Sequence, residues 1–288
     1  MNIVYLVFGE SIVNYQQVCF SIYTTLNKKS NNDKVIIITE DTTFFEHLGD
    51  KVEVILVSKQ TFKEWASAYD CYFRIKIKAL QLLAQKYPTD HILFMDGDTF
   101  VYNDFSSIKT GMDNGENFMH LNEGRLSELP TKTEKKMWSS LQGKTFEGVV
   151  IDKETCMWNS GLIGISSKNL GYIDVCLEVN DRMCETDVIR KLVEQLAFSV
   201  ALSKQGAIKP GDHIVGHYWG NKEEWSAIIS DFMMRAFMKK WTIDQVLDAV
   251  KEMKIKDFPI WVRRSNTQRK LKNVIDNFYK DKRAVFVK

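Results

Sequence analysis

Residues 91–95, His-Ile-Leu-Phe-Met, form a short apolar run that ends in Asp96-Gly97-Asp98-Thr99-Phe100, so two carboxylates stand at the end of a strand with buried character. Ionised groups beside a core are costly unless something cationic compensates them. In extended backbone, residues i and i+2 project to the same side. Asp96 and Asp98 can therefore reach one ion, and Gly97 leaves room for a ligand to approach. Hard divalent cations such as Mg²⁺ or Mn²⁺ prefer such oxygens and commonly share them with substrate phosphates.

The elements that must hold this turn are read from periodicity. Residues 3–8, 35–39 and 52–57 are short β-rich runs, and residues 15–26 between them carry Val18, Ile22 and Leu26 at helical spacing. Such alternation predicts an α/β chain with a mostly parallel sheet flanked by helices. Ligands bind beyond the carboxyl ends of the strands in these sheets, which makes the turn at Phe8-Gly9 and the one after Thr39 site candidates. Residues 72–87 read as a helix with Tyr72, Ile75, Ala79, Leu82 and Leu83 on one face and Arg74, Lys78, Gln81 and Gln85 on another, closed by Pro88. Residues 111–155 are polar and irregular, a stretch long enough to suggest a covering segment or an acceptor groove. A strand over 157–165 and helices over 170–183 and 186–202 follow, and the chain beyond His217-Tyr218-Trp219-Gly220 reads as helical.

Composition bounds the class. The 288 residues are 44% hydrophobic and 26% charged, ordinary globular values that imply neither disorder nor a membrane span. No run approaches the roughly 20 apolar residues that crossing a bilayer requires. The apolar opening stops at Gly9-Glu10 with no basic leader, and the expected location is the cytosol. The five cysteines are scattered without a Cys-x-x-Cys pair and read as buried or idle thiols. Between 263 and 288 there are nine Lys or Arg against two Asp, which leaves 30 basic and 35 acidic residues for the rest. In that tail Leu271, Val274, Ile275 and Phe278 make an apolar stripe with basic flanks, suited either to an anionic membrane surface, the inner face of the membrane, or to docking on its own domain. No aromatic-and-basic motif accompanies the charge, so nucleic acid is not an expected partner.

Several ordered strings resemble a known group. Tyr72-Phe73-Arg74-Ile75-Lys76, then Ile92-Leu93-Phe94-Met95-Asp96-Gly97-Asp98-Thr99-Phe100-Val101, is similar to the donor-binding half of GT-A glycosyltransferases, in particular the glycogenin and bacterial lipooligosaccharide galactosyltransferase group. Asn159-Ser160-Gly161 resembles that group's Asn-x-Gly strand beside the donor sugar, Glu194-Gln195 its Asp-Gln pair, and His217-Tyr218-Trp219-Gly220 its late His-x-x-Gly. The resemblance implies a GT-A domain over residues 1–230 with a helical basic appendage at 231–288. It implies Asp96, Asp98 and His217 as ligands of Mn²⁺ or Mg²⁺, and the imidazole favours manganese. It places Arg74 and Lys78 toward the donor, and Glu194 and Gln195 at the reacting sugar, where Glu194 is one methylene longer than the usual Asp and suits a general base. Lys222 is the candidate for a second positive charge on the leaving group, two residues after Gly220 and followed by Glu223-Glu224-Trp225 where the family has Pro-Trp after its lysine. The implied activity is transfer of a hexose from a nucleotide diphosphate sugar, UDP by resemblance, to a saccharide or glycolipid acceptor, with retention of configuration and a role in polysaccharide biosynthesis. An EF-hand is excluded because Phe100 replaces a third oxygen ligand and the loop glycine is absent. A haloacid-dehalogenase-like phosphohydrolase and a non-catalytic sugar-binding module are the alternatives; Phe100 departs from the former's Asp-x-Asp-x-Thr or Val pattern.

Overall fold

The computed structural model describes residues 1–66, 71–262, 271 and 274. The chain begins with β1 (Asn2–Val7), α1 (Ile12–Leu26), β2 (Lys34–Thr39), β3 (Glu53–Leu56), α2 (Lys59–Ala66), α3 (Arg74–Lys86) and β4 (Ile92–Met95). A more irregular middle follows, comprising β5 (Thr99–Val101), α4 (Ser106–Asp113), β6 (Phe118–Met119), β7 (Asn122–Arg125), α5 (Lys132–Leu141), β8 (Thr145–Phe146), β9 (Val149–Val150), β10 (Cys156–Trp158) and β11 (Leu162–Ile165). Helices α6 (Tyr172–Cys184) and α7 (Val193–Ser203), strands β12 (Lys209–Pro210) and β13 (Val215–His217), and helices α8 (Lys222–Met238) and α9 (Ile243–Glu252) complete it.

Among the described residues the main sheet runs β12-β6-β11-β4-β1-β2-β3. Strands β1 to β4 are mutually parallel where they pair, and β11 joins antiparallel to β4. Because side chains alternate along a strand, each central strand feeds two cores. Ile3, Tyr5, Ile37, Leu93 and Met95 point to the layer built by α1, α8 and α9, whereas Val4, Ile36, Ile38, Ile92 and Phe94 point to that of α3, α6 and α7. The strands are apolar on both faces for that reason, as the sequence pattern required. The first two strands and β4 fall within a residue of their expected bounds.

Four differences have local causes. The strand expected over 157–165 is split, because Asn159 leaves the β7 partner to exchange backbone hydrogen bonds with Leu121 and His120 before β11 takes up β4. The helix expected from 186 begins at Val193 after a 3₁₀ turn. Residues 111–155 contain α5, whose Met137 and Leu141 at i, i+4 reach the core, and a β8–β9 hairpin carrying buried Phe146. Finally, position 230 lies inside α8, and that helix and α9 supply Trp225, Ile229, Phe232, Val246 and Val250 to the same core as β1. The amphipathic stretch expected over 266–279 lies outside the described residues apart from Leu271 and Val274, both exposed. Among the described residues no helix is long and apolar enough to cross a membrane. Four of the five free thiols are buried and Cys156 is half-buried.

Trp225 is fully buried and stacks between Phe100, at 4.7 Å between ring centres, and Tyr218, at 4.6 Å. Its indole N–H donates to the Pro259 carbonyl at 3.0 Å. Trp225→Ala should cost about 3–5 kcal/mol of unfolding free energy, measured by guanidinium titration; a loss below about 1 kcal/mol would mean that α8 is only loosely attached.

Candidate functional site

The turn after β4 is fixed from beneath by buried hydroxyls. Tyr5 Oη meets Ser21 Oγ and Thr25 Oγ1 at 2.9 and 2.7 Å, Ser21 Oγ meets Thr99 Oγ1 at 2.9 Å, and Thr99 donates to the Asp96 carbonyl at 2.7 Å. Helix α1 presses on the same turn: a Cβ on Gly97 would lie 2.6 Å from Val18 Cγ2, so the room glycine leaves is taken by the helix. Two antiparallel neighbours then bring in the distant segments. Strand β11 places Gly161, whose carbonyl accepts from the Asp96 N–H at 2.9 Å, and β13 pairs His217 with Thr99 while Tyr218 N–H donates to the Asp98 carbonyl at 3.1 Å.

Asp96, Asp98 and His217 each offer a ligand atom here, all within 4.8 Å of one another. His217 Nε2 is 3.4 Å from Asp98 Oδ2, and Nδ1 is 2.9 Å from Asn159 Oδ1. The imidazole lies so close to Gly161 that any Cβ there would collide with the ring. Two carboxylates and one imidazole are a donor set suited to Mn²⁺ or Mg²⁺, and among the described residues the buried Asp98 Oδ2 is met only by cationic or imidazole nitrogens, those of Lys222 and His217. The residues present fit such an ion.

Two lysines face these acids. Lys222 Nζ is 2.7 Å from Asp98 Oδ2 and remains half exposed. Lys76, buried in α3 between Ile75 and Ile77, places Nζ 3.0 Å from both Asp96 Oδ1 and Glu194 Oε1, with the Ser160 carbonyl and hydroxyl at 3.3 Å. Burial alone would lower the Lys76 pKa, but the Asp96 and Glu194 carboxylates outweigh it and hold the ammonium above its ordinary value. Burial pushes Glu194 up, against the pull of Lys76. Burial also acts upward on Asp98, yet His217 and Lys222 hold it far below the usual carboxylate range.

The other sequence candidates divide between the site and its surroundings. Phe8 lines the crevice over β1 and β4 together with Tyr72, Lys76, Asp96, Gly97, Asp98 and Lys222, and stacks on Phe62 at 4.5 Å. The Gly9 N–H donates to Glu40 at 2.9 Å. Asn159, Ser160, Gly161, Glu194 and Gln195 are buried behind Asp96, and Glu194 Oε2 also accepts from Ser160 Oγ at 3.3 Å, so both its oxygens are engaged. Arg74 points to α6, making two bonds to Asp181 at 2.7 and 2.8 Å and one to the Trp65 carbonyl at 2.7 Å. Lys78 donates to Gln81 at 2.6 Å. Gly220 is covered by the Trp261 ring. Lys76 and Glu123 escaped the sequence reading. Glu123 accepts from Asn159 Nδ2 and Gln195 Nε2, each at 2.9 Å.

No family model and no curated protein matches the chain by sequence. Its structure is similar to an active-site mutant of the galactosyltransferase LgtC, with a TM-score of 0.51 at 11% identity over 80% of this chain and 94% of that one. The chain has the GT-A fold. LgtC in complex with donor and acceptor sugar analogues aligns over 94% of this chain and 99% of that one, at TM-score 0.49 and 11% identity. Mouse xyloside xylosyltransferase 1 aligns over 72% and 83%, at 0.45 and 10%. In GT-A terms, the crevice lies where β1 has β2 on one side and β4 on the other, at the reversal of strand order where open α/β sheets bind ligands.

Two measurements test this geometry. Gly161→Ala should displace the His217 ring and weaken Mn²⁺ binding at least ~10-fold with the far-ultraviolet dichroism unchanged; wild-type affinity in calorimetry would refute the close contact. Buried His120, which donates to the Val215 carbonyl, has its pKa lowered to about 4 by burial and by His217. Below the unfolded value of 6.5 the unfolded chain takes up a proton that the folded one refuses, so stability falls as pH drops from 6.5 toward 4, by up to about 3 kcal/mol. His120→Gln should flatten that acid limb in denaturant titrations at several pH values.

Proposed function

We propose that the chain is a glycosyltransferase that uses a divalent ion, manganese by preference, to move a hexose from a UDP-sugar to a saccharide or glycolipid acceptor with retention of configuration. The observation that carries this reading is the convergence of Asp96, Asp98 and His217 within 4.8 Å at the rim of the crevice beside β1. The GT-A fold shared with LgtC supports it. Asp96, Asp98 and His217 would hold the ion, which when bound neutralises charge growing on the nucleoside diphosphate. In the reaction the sugar's anomeric C–O bond to the diphosphate breaks, a new one forms to the acceptor oxygen, and the acceptor hydroxyl's proton passes to the departing diphosphate oxygen.

The protein's own groups divide the remaining tasks. Lys222, half exposed beside Asp98, can turn to the diphosphate oxygens as they gain charge. Phe8 and the exposed Tyr72 and Phe73 offer flat apolar surface to the nucleoside at the other end of the crevice. Lys76 orients Asp96, with Glu194 as the second carboxylate on its ammonium, while Gln195 adjoins the reacting sugar. A location in the cytosol, with the basic tail against the inner membrane face, belongs to the same reading.

Thermal shift with a panel of nucleotide sugars tests it. UDP-hexose with Mn²⁺ should stabilise the protein, by about 2.7 kcal/mol at one hundred times Kd, and neither component alone should do as much. Asp98→Asn or chelation should lower hydrolysis or transfer of the donor by about 10²–10³-fold. Phosphomonoester hydrolysis without any response to nucleotide sugars would instead favour a phosphohydrolase, and donor binding without turnover a sugar-binding module.

A further inference from the structure

Glu123 makes contacts that determine more than local packing. It sits half-buried on β7, and its two oxygens each accept one amide N–H, Oε1 from Asn159 Nδ2 and Oε2 from Gln195 Nε2, both at 2.9 Å. An ionised carboxylate has acceptors only, so Asn159 must turn its NH₂ to Glu123 and its carbonyl oxygen the opposite way. That oxygen receives the Gly161 N–H at 3.0 Å and faces His217 Nδ1 at 2.9 Å. A carbonyl oxygen can only accept, which requires the His217 proton to be on Nδ1. That leaves Nε2, the nitrogen that faces Asp98, as the one an ion would take. The Gly161 N–H favours the same amide orientation with one neutral hydrogen bond; Glu123 adds a charge-assisted one.

We propose that Glu123 is a positioning residue that, through Asn159, sets the tautomer of His217 for ion binding and ties the ion ligand to Gln195. The proposal rests on the ion reading above and names the group that prepares its imidazole ligand. Gln195, Glu123, Asn159 and His217 form one chain of hydrogen bonds in which the direction of every donor follows from the single carboxylate. A histidine that ligates a metal through one nitrogen is ordinarily oriented through the other, and loss of such a partner typically costs 10–100-fold in affinity.

An exchange of acid and amide tests the relay. In Glu123→Gln the acceptor-only carboxylate is gone: the new amide can turn either its oxygen or its NH₂ to Asn159, so the orientation of the Asn159 amide is no longer fixed from that side. In the double variant Glu123→Gln with Asn159→Asp, the new amide accepts from Gln195 and donates to the carboxylate now at position 159. That carboxylate in turn accepts from Gly161 and His217 Nδ1–H. The readouts are the His217 tautomer by long-range ¹H–¹⁵N NMR on metal-free protein, and the Kd for Mn²⁺ alone by calorimetry. Wild type should show Nδ1–H. The single variant should lose the dominance of that tautomer and bind Mn²⁺ about 10–100-fold more weakly, and the double variant should recover both. Wild-type tautomer and affinity in Glu123→Gln would overturn the proposal, as would a folded double variant no better than the single one. If the single variant fails to fold, recovery in the double variant decides the matter. Wild-type protein that ignores Mn²⁺ would count against the ion reading of the previous section, while the metal-free tautomer still tests the relay.

Discussion

Lys76 Nζ lies within 3.0 Å of Asp96 and Glu194, and its side chain is almost wholly excluded from solvent. Three elements meet at this ammonium: α3 carries it, the turn after β4 supplies one carboxylate and α7 the other. Removing one member of such a group leaves uncompensated charge in the interior, typically at a cost of 3–5 kcal/mol. The lysine therefore depends on the acids for being buried at all, and the acids on the lysine for a cation within reach. With the ammonium anchored, Asp96 has one oxygen committed inward, and Asp98, held by Lys222 and His217, faces it across the turn. The geometry available to a cation follows from that arrangement.

How much of this was legible depended on whether a residue's partners were close in sequence. Asp96 and Asp98 announced themselves because polar residues at the end of an all-apolar strand need a local explanation. The split of strand 157–165 did not, since it arises from pairing with His120 and Leu121, segments remote in sequence. Lys76 stands within a resembling string, but its residue type alone sends a helical lysine to solvent. The face of Arg74 and Lys78, expected toward the donor, instead meets α6, where Asp181 takes Arg74 and Asp174 takes Gln81, the partner of Lys78. Glu123 stands in a polar stretch where nothing in residue type distinguishes it from Glu128 or Glu154, which pair with Arg125 at the surface.

The order of elements shows why the chain must continue past 230 to complete the site. Lys222 opens α8, and that helix keeps its place only because Trp225, Ile229 and Phe232 enter the core beneath β1. Asn221 and Trp225 both donate to the Pro259 carbonyl, at 2.9 and 3.0 Å, which ties the segment after α9 across the start of α8. Trp261 then covers Gly220. The cation beside Asp98 is thus positioned by residues as far along as Trp261, and that part of the chain belongs to the same packing unit as the crevice.

Arg74 illustrates how a residue can serve a site without facing it. Its guanidinium makes a bidentate pair with Asp181 and a third bond to the Trp65 carbonyl, an arrangement with much higher geometric specificity than a lysine would give. Turning it toward the crevice would forfeit all three bonds and leave Asp181 with the Asn180 amide but no cation. As placed, it fastens the first turn of α3 to α6, two residues before Lys76. The register of α3 decides whether the Lys76 ammonium falls between Asp96 and Glu194 or against the apolar side chains around them. A cation at 74 in that structural role and a cation at 76 in the electrostatic one account for both charges in the Arg-x-Lys string by the contacts each of them makes.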